Sequence, residues 1–308
     1  MNMYDLLIIG AGPAGLGASI YASRYKLNHL VIGAEIGGQV TEAWEIENYA
    51  GIESIAGKDL MEKFRKQTED LGGVIVEASV SKVAKIEDGF EIILEDGKKY
   101  QSKSIIFALG MKPRKMNIPG ESKFLGKGIS YCATCDAMFF RGKDVVVIGG
   151  GDAAATAAIH LAEFANSVQL LYKEGTKIFE PSWEQQIVKT GKIAMDCFEK
   201  IDEVVGEEKV EGLVYEKTGG EKKELQIQGV FIEIGSVPGV VVAKELGVQT
   251  DEQGYIIVAQ DQSTAVENVY AAGDVTTGSN KFRQIITAVA EGAVAAGSVY
   301  KKLKLTKK

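Results

Sequence analysis

The sequence predicts an α/β protein, and three observations carry that reading. Two glycine-rich turns, Gly10–Gly15 and Gly149–Ala154, each follow a short all-apolar run and each open a helix-compatible stretch. The apolar runs do not alternate with polar residues, which is the pattern of strands buried on both faces of a parallel sheet. The 308 residues suit two domains at about 150 residues each. The expected architecture is therefore two Rossmann-like (three-layer ββα) nucleotide-binding domains.

The elements follow in order. Leu6-Leu7-Ile8-Ile9 reads as a strand, Ala14 to Tyr25 as a helix and Leu30-Val31-Ile32 as the next strand, a βαβ unit. Residues 74–110 are β-rich, with runs at 74–76, 90–94 and 105–108, and Asp96-Gly97 marks a hairpin turn. The first pattern then returns: Val145 to Ile148 is a strand, Gly149-Gly150-Gly151 a turn, Ala153 to Phe164 a helix and Val168 to Leu171 a strand. Residues 199–234 are charged and alternating, with a turn at Gly219-Gly220. The character changes again from Asp251, and Gln284 to Tyr300 reads as an apolar helix. The last eight residues, from Lys301, are basic and are expected to fray.

Composition narrows the functional classes. Hydrophobic residues make up 45% and charged residues 25%, ordinary globular usage. The net charge of −7 argues against a general nucleic-acid binder, which needs a basic surface. No apolar run approaches the ~20 residues of a membrane span. The opening Met-Asn-Met-Tyr-Asp has no basic n-region and leads straight into the first strand, so no secretion leader is expected and the location read from the sequence is cytoplasmic. The 36 glycines against 5 prolines point to tight turns and close backbone approach.

Four features carry chemistry. In Gly10-Ala11-Gly12-Pro13-Ala14-Gly15, the first glycine permits the tight turn. The second lets the backbone approach a pyrophosphate, and the third lets helix and strand pack closely. The helix N-terminus then offers its free N–H groups to the diphosphate. Glu35 stands near the place of a ribose-binding acid, just beyond Gly33-Ala34. Gly149-Gly150-Gly151-Asp152-Ala153-Ala154 repeats the turn, and Glu174 lies about 20 residues on, where an acid binds a ribose diol. A solvated strand end explains Lys173-Glu174 equally well. Cys132-Ala133-Thr134-Cys135-Asp136 supplies two of the 3 cysteines. No fourth ligand in zinc-like spacing completes a metal site, and an intracellular structural disulfide is disfavoured. A redox pair remains: one thiolate attacks a disulfide, the other resolves the intermediate, and Asp136 moves a proton. Cys197 reads as a buried structural cysteine. Finally, Tyr270-Ala271-Ala272-Gly273-Asp274 runs a strand into a glycine turn and a carboxylate, suited to a sugar-alcohol hydroxyl or to capping a helix.

In this order and spacing, the chain resembles low-molecular-weight thioredoxin reductases over essentially its whole length. The resemblance adds Gly37-Gly38-Gln39, Glu47-Asn48-Tyr49, Ala108-Leu109-Gly110 and Arg283-Gln284 to the features above. It implies an FAD-binding domain made of residues 1–113 and 246–308, with an inserted NAD(P)-type domain, 114–245, carrying the dithiol. It implies FAD contacts among Gly10, Gly12, Pro13, Ala14, Gly15, Glu35, Gly38, Gln39, Asn48, Ala108, Gly110, Gly273, Asp274, Arg283 and Gln284. Gly149, Gly151 and Asp152 are the candidates at the second turn. It also implies that Cys135 lies nearer the flavin, that Cys132 attacks thioredoxin or a thioredoxin-like protein, and that the chain is a homodimer.

One departure bears on the electron donor. NADPH-using members carry His-Arg-Arg after the second unit's strand and a further Arg four residues on. Here these positions hold Tyr172, Lys173, Glu174 and Ile178. The bidentate guanidinium clamp for a 2′-phosphate is missing, and Lys173 and Lys177 are point charges only. The absence is similar to a branch of the family that takes electrons from ferredoxin, and ferredoxin is the expected donor. NADH through Glu174 and NADPH through the two lysines are the alternatives. Two other readings compete with a thioredoxin reductase: a flavin ferredoxin–NADP oxidoreductase, which has no need of the cysteines, and a non-catalytic dinucleotide-binding redox sensor.

Overall fold

The computed structural model describes residues 3–43 and 46–305. Met1, Asn2 and the final Thr306-Lys307-Lys308 of the expected frayed end lie outside the described residues. The chain divides into two compact units, Met1–Lys112 with Val237–Lys308, and Pro113–Ser236.

The first unit is built on a seven-stranded sheet in the order Ile75–Glu77, His29–Gly33, Met3–Ile9, Lys99–Phe107, Gly89–Leu94, Val80–Ile86. Val269–Ala271 also pairs with Lys99–Phe107, in parallel, with Tyr270 beside Ile106. Leu7 and Ile9 enter the core on one face of the first strand, and Leu6 and Ile8 the core on the other. This two-sided burial is why the run shows no alternation. The glycine turn leads into the helix Pro13–Arg24, with proline at its start and Gly12 as its cap. Proline fits there because its missing N–H would have no partner in the first turn. A second helix, Gly57–Asp70, buries Leu60, Met61 and Phe64 and was not anticipated above. The last helix, Ile285–Leu305, extends beyond the expected end at Tyr300. Lys301 to Leu305 are helical rather than frayed, because Leu303 packs onto the core and Lys302 pairs with Glu267 at 3.0 Å.

The second unit has a five-stranded parallel sheet in the order Ile193–Phe198, Ser167–Lys173, Asp144–Ile148, Gly229–Ile232, Ile129–Ser130. Val145 and Val147 face the helix Asp152–Phe164, while Val146 and Ile148 face a three-stranded antiparallel sheet of Lys200–Val205, Gly212–Glu216 and Lys222–Gln226. Helix, parallel sheet and antiparallel sheet make the three layers. Gly219 and Gly220 turn between two of the antiparallel strands with positive φ.

Two further expectations need correction. The chain re-enters the first unit at Val237 rather than at 246, because Val240 and Ala243, around the short helix Val241–Glu245, pack with Ile256 and Val269. Cys197 is a free, half-exposed thiol rather than a buried one. It sits on Ile193–Phe198, the edge strand of its sheet, where most residues are only partly buried.

Candidate active site

In the first unit, Gly10 has φ 116°, and a Cβ there would stand 2.0 Å from Ala108 O. A Cβ on Gly15 would stand 1.8 Å from Gly10 O. Both positions therefore exclude any side chain, and the helix starts directly against the strand. Gly12 is different: a Cβ there meets nothing nearer than Gly37 O at 3.9 Å, and a Cβ on Gly38 would lie 3.7 Å from Gly12 Cα. Gly12 and Gly38 thus lie side by side at the N-terminus of Pro13–Arg24, and neither places a side chain over it. Gly37 N–H donates to Ala11 O at 2.8 Å and ties the two segments together. Gln39 and Glu35 are exposed. Burial, reinforced by the charge of Glu35, pushes the Glu42 carboxyl up to about 7.

The far end of the chain completes this site. Asn48 Nδ2 donates to Gln284 Oε1 at 3.1 Å. Gly273 has φ 83°, and a Cβ there would stand 2.8 Å from the Ala14 Cβ, so this turn sits directly on the first helix. Asp274 follows, and burial pushes its carboxyl up to about 6, with Arg283 acting against that and Glu291 with it. Arg283 Nη1 donates to Tyr255 Oη at 2.9 Å. Ala108 is buried under Gly10, and Gly110 has φ 59° with nothing within 4 Å of a Cβ. An uncovered helix N-terminus between glycines, a half-buried carboxylate and an amide pair fit the diphosphate, ribityl chain and ring of FAD.

Glu291 was missed at the sequence level. Its carboxylate is buried and accepts from Gly273 N–H at 2.8 Å and Thr276 Oγ1 at 3.1 Å. The available signal was a lone acid in an otherwise apolar helix, Ile285 to Gly297.

In the second unit, Cys132 and Cys135 form a disulfide. They span a short helical turn, Ala133–Asp136, in which Cys135 N–H donates to Cys132 Sγ at 3.1 Å. Ser130 Oγ accepts from Cys132 N–H at 2.9 Å and donates to Cys132 O at 3.2 Å, fixing the backbone of that cysteine. Cys135 is exposed, as are Met138 and Phe139 just beyond it. Asp136 is half-buried and its N–H donates to Cys132 O. Tyr131, the residue before Cys132, donates its hydroxyl to Glu121, a second buried carboxylate missed at the sequence level. Glu121 also accepts from Met116, Asn117 and Ile118 N–H. Burial raises that carboxyl, but the Tyr131 hydroxyl and the three N–H groups outweigh it and hold it below the ordinary range.

The second glycine turn repeats the first. Gly149 has φ 157° and a Cβ would stand 2.1 Å from Glu233 O, while Gly151 has nothing within 4 Å. Asp152 Oδ1 accepts from Glu180 N–H at 2.7 Å. Of the groups offered to a ribose or a 2′-phosphate, Glu174 Oε2 already accepts from Thr218 Oγ1 at 2.8 Å. Lys177 is paired with Glu184 at 2.7 Å. Ile178 N–H donates to Gly150 O at 2.8 Å, and its side chain is exposed where a guanidinium is absent.

Comparison with known proteins places these features in context. The family model described as pyridine nucleotide-disulphide oxidoreductase matches residues 4–292. Thioredoxin reductase of Treponema pallidum (strain Nichols) is 40% identical over 296 residues, 95% of each chain. A protein of Clostridium pasteurianum described as a 34.2 kDa protein in rubredoxin operon is 38% identical, over 95% of this chain and 94% of its own. The crystal structure of T. acidophilum thioredoxin reductase superposes with a TM-score of 0.92 at 37% identity, covering 99% of this chain and 100% of that one.

Proposed function

We infer, from the premise that this chain belongs to the pyridine nucleotide-disulphide oxidoreductase family as an FAD-dependent disulfide oxidoreductase of the thioredoxin reductase type, that it reduces thioredoxin or a thioredoxin-like protein through Cys132 and Cys135. The observation that carries this is the Cys132–Cys135 disulfide, held on a short turn with Cys135 exposed. Two electrons and two protons convert it to the dithiol. The Cys132 thiolate, facing the Cys135 N–H, attacks the partner's disulfide and expels one partner thiolate. Cys135 then attacks the mixed disulfide, restoring Cys132–Cys135 and releasing the partner as a dithiol. Asp136, next to the pair, takes and returns the proton.

In the first unit, the helix N-terminus beside Gly12 and Gly38 would hold the diphosphate of FAD, Asp274 would accept from the ribityl hydroxyls, and Asn48, Gln284 and Arg283 would border the ring. Bound there, FAD supplies redox chemistry that accepts electrons singly or in pairs.

The donor is a reduced iron–sulfur protein of ferredoxin type. Supporting this, the second nucleotide turn lacks a guanidinium at Tyr172, Lys173, Glu174 and Ile178, and its Glu174 and Lys177 have protein partners. The location is cytoplasmic, where a cycling dithiol meets a reducing pool. Among the described residues no helix is long and apolar enough to cross a membrane.

Anaerobic titration of the yellow protein with NADH, NADPH and reduced ferredoxin, each in turn, tests the donor. Reduced ferredoxin should bleach the flavin fastest, and rapid bleaching by NADPH at low concentration refutes this assignment. Cys132→Ser should abolish thioredoxin reduction, and full activity in that variant refutes the dithiol route.

A further inference from the structure

We propose that Glu291 is a positioning residue for the flavin: its buried carboxylate fixes the turn Gly273–Gly278 and thereby sets where Asp274 meets the cofactor. This rests on the reading that Gly273-Asp274 belongs to the FAD site.

The geometry is a junction of three segments. Glu291 Oε2 accepts from Gly273 N–H at 2.8 Å, immediately before Asp274. Thr276 Oγ1 lies 3.0 Å from Gly273 O and 3.1 Å from Glu291 Oε2, and it accepts from Gly278 N–H at 3.0 Å. A Cβ on Gly278 would stand 2.6 Å from Glu291 Oε1, so the turn closes around the carboxylate and a side chain there would have to displace it. The next residue of the helix, Gly292, packs on the other half of the site: a Cβ there would stand 2.1 Å from Ala14 O. Two consecutive residues of Ile285–Leu305 therefore hold the Asp274 turn and the first helix, Pro13–Arg24, whose N-terminus is the proposed diphosphate site.

Burying a carboxylate is costly unless its partners are fixed. A scaffold needing only an acceptor for Gly273 N–H could use an amide. The acid adds a negative charge facing Asp274, and Arg283 faces the same group with the opposite sign. Glu291 thus acts on Asp274 in two ways, through the backbone turn and through its charge.

Flavin release on dilution of the holoenzyme, followed by FAD fluorescence across pH, separates these contributions. Glu291→Ala orphans Gly273 N–H, and the FAD Kd should rise roughly tenfold or more. Glu291→Gln keeps an acceptor, so the Kd at neutral pH should stay within about threefold. With the like charge gone and Arg283 still present, its pH midpoint for FAD affinity should fall. Gly278→Ala pushes the carboxylate without removing it, and should raise the Kd several-fold while keeping the wild-type midpoint. If Glu291→Ala does not fold, the other two variants decide. An unmoved midpoint in Glu291→Gln, or wild-type Kd in Gly278→Ala, overturns the proposal. If Asp274→Asn also binds FAD normally, the site reading itself fails; if Asp274→Asn binds poorly while the Glu291 and Gly278 variants bind normally, only the role of Glu291 fails.

Discussion

Asn48 and Gln284 are 236 positions apart, yet Asn48 Nδ2 donates to Gln284 Oε1 at 3.1 Å. The first unit is therefore tied here by side chains from both of its chain segments. The bond is exposed, so its net contribution is small, about 0.5–1.5 kcal/mol. Gln284→Ala should weaken FAD binding by about threefold to tenfold with little loss of fold stability. Equilibrium flavin titration and thermal unfolding of the same variant check both halves of this statement.

The glycines of the first turn should separate into two classes. Gly10→Ala forces a methyl to within 2.0 Å of Ala108 O at φ 116°, and strain plus overpacking should cost about 3 kcal/mol or more. Gly12→Ala meets nothing nearer than 3.9 Å, so its unfolding temperature should stay near wild type while FAD affinity falls, because the methyl covers the helix N-terminus proposed to hold the diphosphate. Calorimetry beside the flavin-to-protein absorbance ratio distinguishes the two. Equal unfolding temperatures for both variants would contradict the assignment.

Glu121 predicts an acid-sensitive dithiol arm. Its carboxyl is pushed up by burial, but the Tyr131 hydroxyl and the N–H groups of Met116, Ile118 and Asn117 hold it below its ordinary 4.5. A depressed carboxyl stabilises the fold above the unfolded value and loses that contribution as pH falls through the folded one. Unfolding free energy should thus decline below about pH 4.5, and Glu121→Gln should flatten that decline. Tyr131→Phe should cost about 1–2 kcal/mol and leave flavin content unchanged. Denaturant unfolding at neutral and acid pH measures each effect.

Phe139 leaves 72% of its surface to solvent beside the exposed Cys135. A large apolar side chain so placed suits a disulfide-bearing partner. Phe139→Ala should raise the KM for thioredoxin roughly tenfold while flavin reduction by the donor stays at the wild-type rate. Steady-state assays across thioredoxin concentration, paired with rapid-mixing flavin bleaching, test this. A lowered kcat at unchanged KM speaks against docking.

Much of the fold was legible because its strands are uninterrupted apolar runs ending in glycine, as at Leu6 to Gly10 and Val145 to Gly149. Those glycines are also the ones where a Cβ would meet backbone, so motif and geometry coincide. The dithiol was legible because two of 3 cysteines stand three apart. Glu121 and Glu291 were not: an acid reads as surface by default, and their acceptor roles depend on N–H groups brought in by folding. Helix Gly57–Asp70 was passed over because its apolar residues are few and set among charges. The re-entry at Val237 was hidden because no composition change marks it, and Val240 and Ala243 find their core only in three dimensions.

Because Pro113–Ser236 is contiguous and Met1–Lys112 is completed only by Val237 onward, synthesis on the ribosome finishes the parts in reverse of the order in which they begin. The sulfur-bearing portion emerges whole while the earlier portion still waits for Val269–Ala271 to slot beside Lys99–Phe107. A nascent polypeptide halted before that strand carries the whole cysteine-bearing segment, while the other unit's sheet still lacks its closing strand.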